Sequence, residues 1–243
     1  MGRAVLRALS AAPNDAFTVV GGVDLCAENA PIPVFASTDA INVEADVAID
    51  FSVPAATMQI LDYCCKMSLP LVICTTGLTE AHIARIEDAS KQIPIFRSGN
   101  MSLGVNLMRT LCKIAEQTLG TSFDVELIEM HHNRKIDAPS GTALMLADSI
   151  ASCMQEPPTY VYGRHDDDRR RAPNEIGIHS VRGGTIVGEH EAWFMGEDEA
   201  IVIRHQAFSK RVFATGALRA ASFLVGKAAG LYSMDELVTS LIH

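Results

Sequence analysis

The sequence predicts an α/β protein: a Rossmann-like parallel sheet, lacking its first strand, joined to an α+β segment with a mixed sheet. Three observations carry this reading. Short apolar runs alternate with helical periods up to Met101. A long amphipathic helix then changes the character of the chain. Finally, consecutive strand patterns run from Ile176 to Ala207 with no helix between them.

Each element follows from its residues. Gly2 to Ala11 reads as a helix with Val5, Leu6 and Leu9 on one side. Phe17 to Asp24 reads as a buried strand ending in an acid, and Ala45 to Phe51 as a second strand. Pro54 suits a first helical turn and opens a helix through Met67. Leu69 to Cys74 is a third strand. Thr79 can cap a helix running to about Lys91. Ile93 to Phe96 is a fourth strand. Strands alternating with helices at this spacing build a parallel sheet, which binds ligands at the carboxyl ends of its strands. Beyond Met101, Val105 to Gly120 is a helix, Asp124 to Glu129 a strand, and Ser140 starts a helix through about Met154. Residues 157–175 read as polar loop, with Asp166 to Arg171 a solvated, mobile charge run. Ile176–Arg182, Thr185–Met195 and Ala200–Ala207 are expected to be largely antiparallel. Val181 to Gly184 looks like a hairpin or bulge, and Val212 to Gly230 like a returning helix.

Composition narrows the function. The 243 residues are 48% apolar and 20% charged, as in an ordinary globular protein. A net charge of −9 argues against non-specific binding to nucleic acid or anionic membrane. No apolar run approaches the roughly 20 residues a membrane span needs. The six cysteines form no CxxC pair and no zinc spacing, so reduced thiols in a cytosol, and no metal, are expected. Adjacent Cys64 and Cys65 read as packing residues.

The chemistry concentrates between Glu129 and Ala143. His131 and His132 follow an extended run, so their side chains face opposite ways. Lys135 lies in the polar loop beyond, and Pro139 ends it. Ser140-Gly141-Thr142 opens a helix, whose free N–H groups and dipole suit a carboxylate or phosphate, with Gly141 allowing close approach. Taken singly, the histidines could be packed polar residues, Lys135 a solvated charge and Ser140 a cap. Their density in one short loop points instead to an anion site with proton-transfer groups. Arg182 is a further candidate cation.

The stretch Glu129-x-His-His-x-x-Lys-x-Asp-Ala-Pro-Ser-Gly-Thr-Ala143 resembles the signature of the dihydrodipicolinate reductase family. Ile49-Asp-Phe-Ser52, Thr75-Thr-Gly77, Asn100 to Asn106, Val187-Gly-Glu-His190 and Phe213-Ala-x-Gly-Ala217 are similar too. The resemblance implies a dinucleotide-binding domain over 1–101 plus 211–243. It implies a substrate-binding and tetramerisation domain over 102–210, hence a homotetramer. The implied reaction reduces a cyclic imine dicarboxylate to tetrahydrodipicolinate with NADH or NADPH, in lysine and diaminopimelate biosynthesis. His131 and Lys135 match the family's proton-transfer groups; His132, Ser140, Gly141 and Thr142 match its substrate contacts. Gly2, Arg3, Asp24, Cys74, Thr75, Thr76, Ser98, Gly99, Asn100 and Met101 match its cofactor contacts. Asp24 followed by Leu25, rather than by an arginine, leans the reading to NADH.

The sequence departs from the family at three places. The family has glycine where Cys74 stands, and alanines with an aromatic where Ser98 to Met101 stand. Its first strand and most of its glycine-rich turn have no counterpart before Gly2-Arg3. A start placed at an internal methionine is the expected cause; it also accounts for the transit-peptide look of Met1 to Leu9. A chain without that strand is expected to leave a gap in the sheet and bind cofactor weakly. The rival readings are another nicotinamide oxidoreductase of the same layout, and a non-catalytic or cofactor-impaired relative.

Overall fold

A computed structural model describes residues 1–10, 17–26, 30–165 and 168–241. In chain order the first elements are α1 (Gly2–Ser10), β1 (Gly22–Val23), β2 (Val34–Phe35), β3 (Ala48–Asp50), α2 (Pro54–Met67), β4 (Leu71–Ile73), α3 (Glu80–Ala89) and β5 (Pro94–Arg97). Next come α4 (Leu103–Leu119), β6 (Asp124–His131), α5 (Gly141–Ala151), β7 (Thr159–Tyr162), β8 (Glu175–Arg182), β9 (Gly188–Met195) and β10 (Ala200–Ala207). The chain closes with α6 (Arg211–Leu224), β11 (Gly230–Tyr232) and α7 (Met234–Ser240). They form two compact units, one of Met1–Ser102 with Arg211–His243 and one of Leu103–Lys210.

The first unit holds a parallel sheet in the order β11-β5-β4-β3. Its strands are apolar on both faces because helices cover both. Leu71, Ile73 and Ile95 point to one side with Leu61 and Ile86. Val72 and Phe96 point to the other, against Ala217, Ala221 and Leu224 of α6 and Leu237 of α7. The local signals match the ends of the helices. Pro54 starts α2, and Ser68, at φ 53°, stops it in the left-handed region. Thr79 and His82 form a reciprocal cap on α3.

Two expectations for this unit need correction. The strand expected over Phe17–Asp24 makes a ladder only at Gly22–Val23, paired in parallel with β2. Among the described residues that pair shares no ladder with the four-stranded sheet, whose edge is β3. A strand extends only where a neighbour takes its N–H and C=O groups, and β1 has one short neighbour. The helix expected to Gly230 stops at Leu224. Gly226, at φ 78°, takes the left-handed turn that ends it, freeing Gly230–Tyr232 to pair with β5.

The second unit is a five-stranded sheet in the order β10-β9-β6-β8-β7. One face is covered by α4 and α5: Val125, Leu127, Ile176, Ile178, Ala192 and Phe194 pack on Met108, Cys112, Leu146, Ala147 and Ile150. The other face carries Glu126, Glu189, Glu191, Trp193 and Arg204. β9 runs antiparallel to β6 and β10, and β8 runs parallel to both β6 and β7, so the sheet is mixed, as expected, although β8 and β9 are not neighbours in it. Val181–Gly184 is therefore not part of a hairpin. β6 lies between β8 and β9, and residues 183–187 must cross its carboxyl end. Gly183 N donates to the His131 carbonyl at 2.9 Å, and Asn133 N to the Gly184 carbonyl at 3.3 Å.

The polar stretch 157–175 also differs from expectation. It contains β7, and part of its charge run is tied down. Arg171 donates to the Val125 and Glu175 carbonyls at 2.8 and 2.6 Å and to Asp124 at 3.0 Å. Arg169 pairs with Glu175, and Arg164 with Glu126 and Glu175. Asp166 and Asp167 lie outside the described residues.

Candidate functional site

The apolar face of the second unit turns polar at the carboxyl end of β6. Side chains alternate along β6, so Val125 and Leu127 enter the core and Glu129 and His131 continue on that side. Register brings Ser180 and His190 beside Glu129, and Arg182 beside His131. The result is a buried polar layer at the start of α5.

Glu129 is its hub, with only 1% of its surface exposed. Its Oε2 meets His131 Nδ1 at 2.5 Å. Arg182 donates to both carboxylate oxygens, at 2.8 and 2.6 Å. The Ser140 backbone N–H donates to Oε1 at 3.1 Å. Burial pushes the Glu129 carboxyl up, but bonds from His131, Arg182 and Ser180 outweigh it and hold it well below the usual carboxylate range. Arg182 is thus committed to Glu129, and to the Asp137 carbonyl at 2.7 Å. Both of its terminal nitrogens therefore face the scaffold.

Ser140 caps α5. Its hydroxyl accepts from Ala143 N at 3.1 Å and bonds His190 Nε2 at 3.0 Å. That hydroxyl, in a buried residue, is part of the scaffold. Gly141 is exposed, and a Cβ there would meet nothing within 4 Å, so the helix start opens onto free space. Thr142 is half-buried in the same turn. Lys135 reaches back to Asp137 at 2.8 Å, and its N–H donates to the His132 carbonyl at 3.1 Å. The His132 Nδ1 is buried with no hydrogen-bond partner. The structure therefore gathers His131, His132, Lys135, Ser140, Gly141 and Thr142 around one strand end, one loop and one helix start. A buried imidazole, a cation and the N–H groups of a helix start can together hold an anion and move a proton.

His190 adds a pH dependence. Its ring stands 5.2 Å from that of His131, nearly perpendicular. Burial, then repulsion from His131, lowers its pKa from 6.5 to about 3. An unfolded chain would take up a proton there near 6.5, so between about 3 and 6.5 the unfolded state binds more protons. Stability contributed at this position is complete above that window and is lost as pH falls through it. Wild type is expected to lose more melting temperature between pH 7 and pH 4 than His190→Gln does. Parallel pH–melting curves for the two proteins would refute this.

In the first unit the expected cofactor residues lie mostly at carboxyl ends of parallel strands. Asp24 follows β1 and is exposed, with Oδ1 accepting from Cys26 N at 2.9 Å. Thr76 and Gly99 are exposed on the loops after β4 and β5. Gly2 and Arg3 form the first turn of α1. The side chains of Cys74 and Met101 are buried in the core, so only their main chains can face a ligand. Ser98 and Asn100 fold their own loop: Ser98 Oγ donates to the Asn100 carbonyl at 2.8 Å and accepts from Asn100 N at 3.2 Å.

Comparison with known proteins decides the family. Residues 1–101 match the profile described as "Dihydrodipicolinate reductase, N-terminus", and residues 104–238 match "Dihydrodipicolinate reductase, C-terminus". The chain belongs to the dihydrodipicolinate reductase family. A Caldanaerobacter subterraneus subsp. tengcongensis relative named 4-hydroxy-tetrahydrodipicolinate reductase is 50% identical over 98% of this chain and 94% of its own. A relative of that name from Clostridium tetani is 47% identical over 91% of this chain and 87% of its own. In fold, the chain resembles a dipicolinate-bound dihydrodipicolinate reductase from Paenisporosarcina sp. TG-14. The TM-score is 0.78 at 24% identity, covering 96% of this chain and 92% of that one. It also resembles a probable dehydrogenase from Thermotoga maritima, with TM-score 0.60 at 11% identity, covering 99% and 90%.

Set beside the family signature, sequence reading gave no role to Glu129, His190 or Asp50, though each stands in a matched motif. Asp50 is 2% exposed at the end of β3. Its carboxylate accepts from Thr57 at 2.6 Å, Thr75 at 3.0 Å and Ser52 N at 2.8 Å. It thereby ties together the loops after β3 and β4, and the Thr75 hydroxyl is committed to it. A usable signal was present: an acid closing an apolar strand must be paired once buried.

Proposed function

We propose that this chain is a 4-hydroxy-tetrahydrodipicolinate reductase. It reduces a cyclic imine dicarboxylate to tetrahydrodipicolinate with NADH or NADPH, in lysine and diaminopimelate biosynthesis. The observation that carries the reading is the buried His131 held by Glu129 beside the open start of α5, in a chain matching both halves of the family. The presence of that site disfavours a non-catalytic relative.

The first unit fits a dinucleotide. Asp24 has one carboxylate oxygen occupied by the Cys26 amide. A Cβ at Gly77 or Gly99, on the loops after β4 and β5, would meet nothing within 4 Å. In this reading Asp24 bonds the ribose hydroxyls, and Gly2 and Arg3 at the start of α1 face phosphate. The Cys74–Thr76 loop and Ser98–Met101 border the remainder. The bound nicotinamide supplies a hydride. The chain's own residues do the rest. Gly141 and Thr142 offer main-chain N–H groups to a substrate carboxylate, with Lys135 and His132 beside it. His131, its Nδ1 on Glu129, presents Nε2 as proton donor to the charge that reduction builds. Lys135, beside the substrate, is the second proton-transfer group; one hydride and one proton complete the reduction.

Two finer points belong to the same proposal. Asp24 repels a 2′-phosphate, and the next residue, Leu25, is exposed and uncharged, so NADH is the preferred donor. The sheet face bearing Trp193, Glu191 and Arg204 is not covered by α4 or α5, which supports a homotetramer assembled through it. The free cysteines support a cytoplasmic location; among the described residues no helix is long and apolar enough to cross a membrane. The deciding assay supplies the cyclic imine and follows loss of reduced-nicotinamide absorbance. Turnover is expected with both donors, with a lower KM for NADH. A folded sample that consumes neither donor overturns the assignment; a lower KM for NADPH overturns the cofactor preference alone. Light scattering showing a monomer would remove the tetramer.

A further inference from the structure

We propose that Glu129 and Arg182 act as an opposed pair of positioning residues that set the charge state of the His131 ring. Glu129 favours its cation and Arg182 limits that effect. The proposal deepens the reading of His131 as proton donor and rests on it. It begins from one carboxylate that serves three elements. Glu129 and His131 lie two residues apart on one face of β6, which brings Oε2 to Nδ1 at 2.5 Å. The same carboxylate holds the first cap position of α5 through Ser140 N at 3.1 Å. Arg182, carried in on β8, closes a two-pronged bond on it at 2.8 and 2.6 Å. Both oxygens are therefore filled by donors, and the group is ionised in a setting of low polarity, where a charge acts strongly on its neighbour.

Geometry also fixes which ring nitrogen is left for chemistry. With Nδ1 on Glu129, the ring turns Nε2 toward Gly188, where a Cβ would lie 3.0 Å away. The position opposite His131 on β9 thus has little room for a side chain. Removing the carboxylate would release the ring and the start of α5 together, separating the proton donor from the N–H groups proposed to hold the substrate.

The electrostatic consequence has a sign. Glu129 on its own strand bonds the ring, Arg182 on β8 is paired with that carboxylate and stands opposite His131 in register, and His190 on β9 lies 5.2 Å from the ring. His205 on β10 and Lys135 in the loop before α5 act on His190, and Asp137 pairs with Lys135. Removing the Glu129 charge leaves the Arg182 cation beside the ring without its counter-ion, which disfavours the ring's cation. Removing Arg182 leaves Glu129 uncompensated, which favours it. A packing role would give no such opposition.

The experiment follows the His131 ring resonances of the full-length protein by NMR across pH, together with kcat, in wild type, Glu129→Gln, Arg182→Gln and Arg182→Lys. The titration midpoint is expected to move down in Glu129→Gln and up in Arg182→Gln, each by about one pH unit. In Arg182→Lys, which keeps the charge and loses the fork, it should stay near wild type. The basic limb of kcat should move in the same directions. In Glu129→Gln kcat should also fall at least roughly tenfold. Midpoints that stay put, or move the same way in both glutamine variants, overturn the inference. If Glu129→Gln does not fold, the two Arg182 variants decide it: a rise in Arg182→Gln that Arg182→Lys does not share supports it, and any other pattern refutes it. The ring titration needs no turnover, so a wild type inactive on the imine would count against the assigned reaction and leave this test standing.

Discussion

His131→Gln is expected to lower kcat on the cyclic imine by roughly 10²- to 10⁴-fold, with KM nearly unchanged. The ring is buried and held by Glu129. A glutamine amide N–H can replace Nδ1–H as donor to Glu129, so the polar layer keeps its packing and Ser140 N keeps its partner. What glutamine cannot do is carry a proton and release it near neutral pH. The start of α5 at Gly141 and Thr142, proposed to hold a substrate carboxylate, is untouched, so binding should survive where chemistry does not. That separation distinguishes loss of a proton donor from collapse of the site, which would raise KM as well. Steady-state kinetics with a melting curve on the same sample checks both. Full activity in a folded His131→Gln would remove His131 from the chemistry.

Legibility from sequence tracked how far apart the partners lie in the chain. His131, His132, Lys135, Ser140, Gly141 and Thr142 share a single turn of chain. A strand end followed by a loop and a helix start must hold such residues together whatever the rest of the fold does. The role of Glu129 was hidden because its partner Arg182 is 53 residues away. Arg182 reaches it only because β8 runs parallel to β6 rather than pairing with β9 as a hairpin. Consecutive strand patterns carry no information on which strand lies between which. The same holds for Asp50, whose partner Thr75 arrives on the next strand. Short edge elements were lost for another reason. β7 and β11 have only four and three residues, and each is stabilised by the neighbour it pairs with rather than by its own apolar pattern. Elements with a local cause, such as Pro54 opening α2, Thr79 capping α3 and Ser140 capping α5, were all readable.

Gly216→Ala should destabilise the first unit strongly, by about 3 kcal/mol or more. Helix propensity alone says the opposite, since alanine is favoured over glycine inside a helix by about 1 kcal/mol. Gly216 lies within α6, on the face that buries Ala214, Ala217 and Ala220. A Cβ there would fall 1.6 Å from the Met101 carbonyl oxygen, far inside any contact distance, and the obstacle is backbone. Either α6 lifts from Val72 and Phe96 or the turn from Ser98 to Met101 is pushed out, and both lose buried apolar contact. The second route disturbs a loop proposed to border the dinucleotide, so the KM for NADH should rise as the melting temperature falls. Thr215→Ala is the control: one residue earlier, on the exposed side of α6, the same alanine should leave stability unchanged or slightly higher. The contrast between adjacent positions isolates the close approach from helix propensity. If Gly216→Ala melts no lower than Thr215→Ala, the packing of α6 on Met101 is not what requires glycine there.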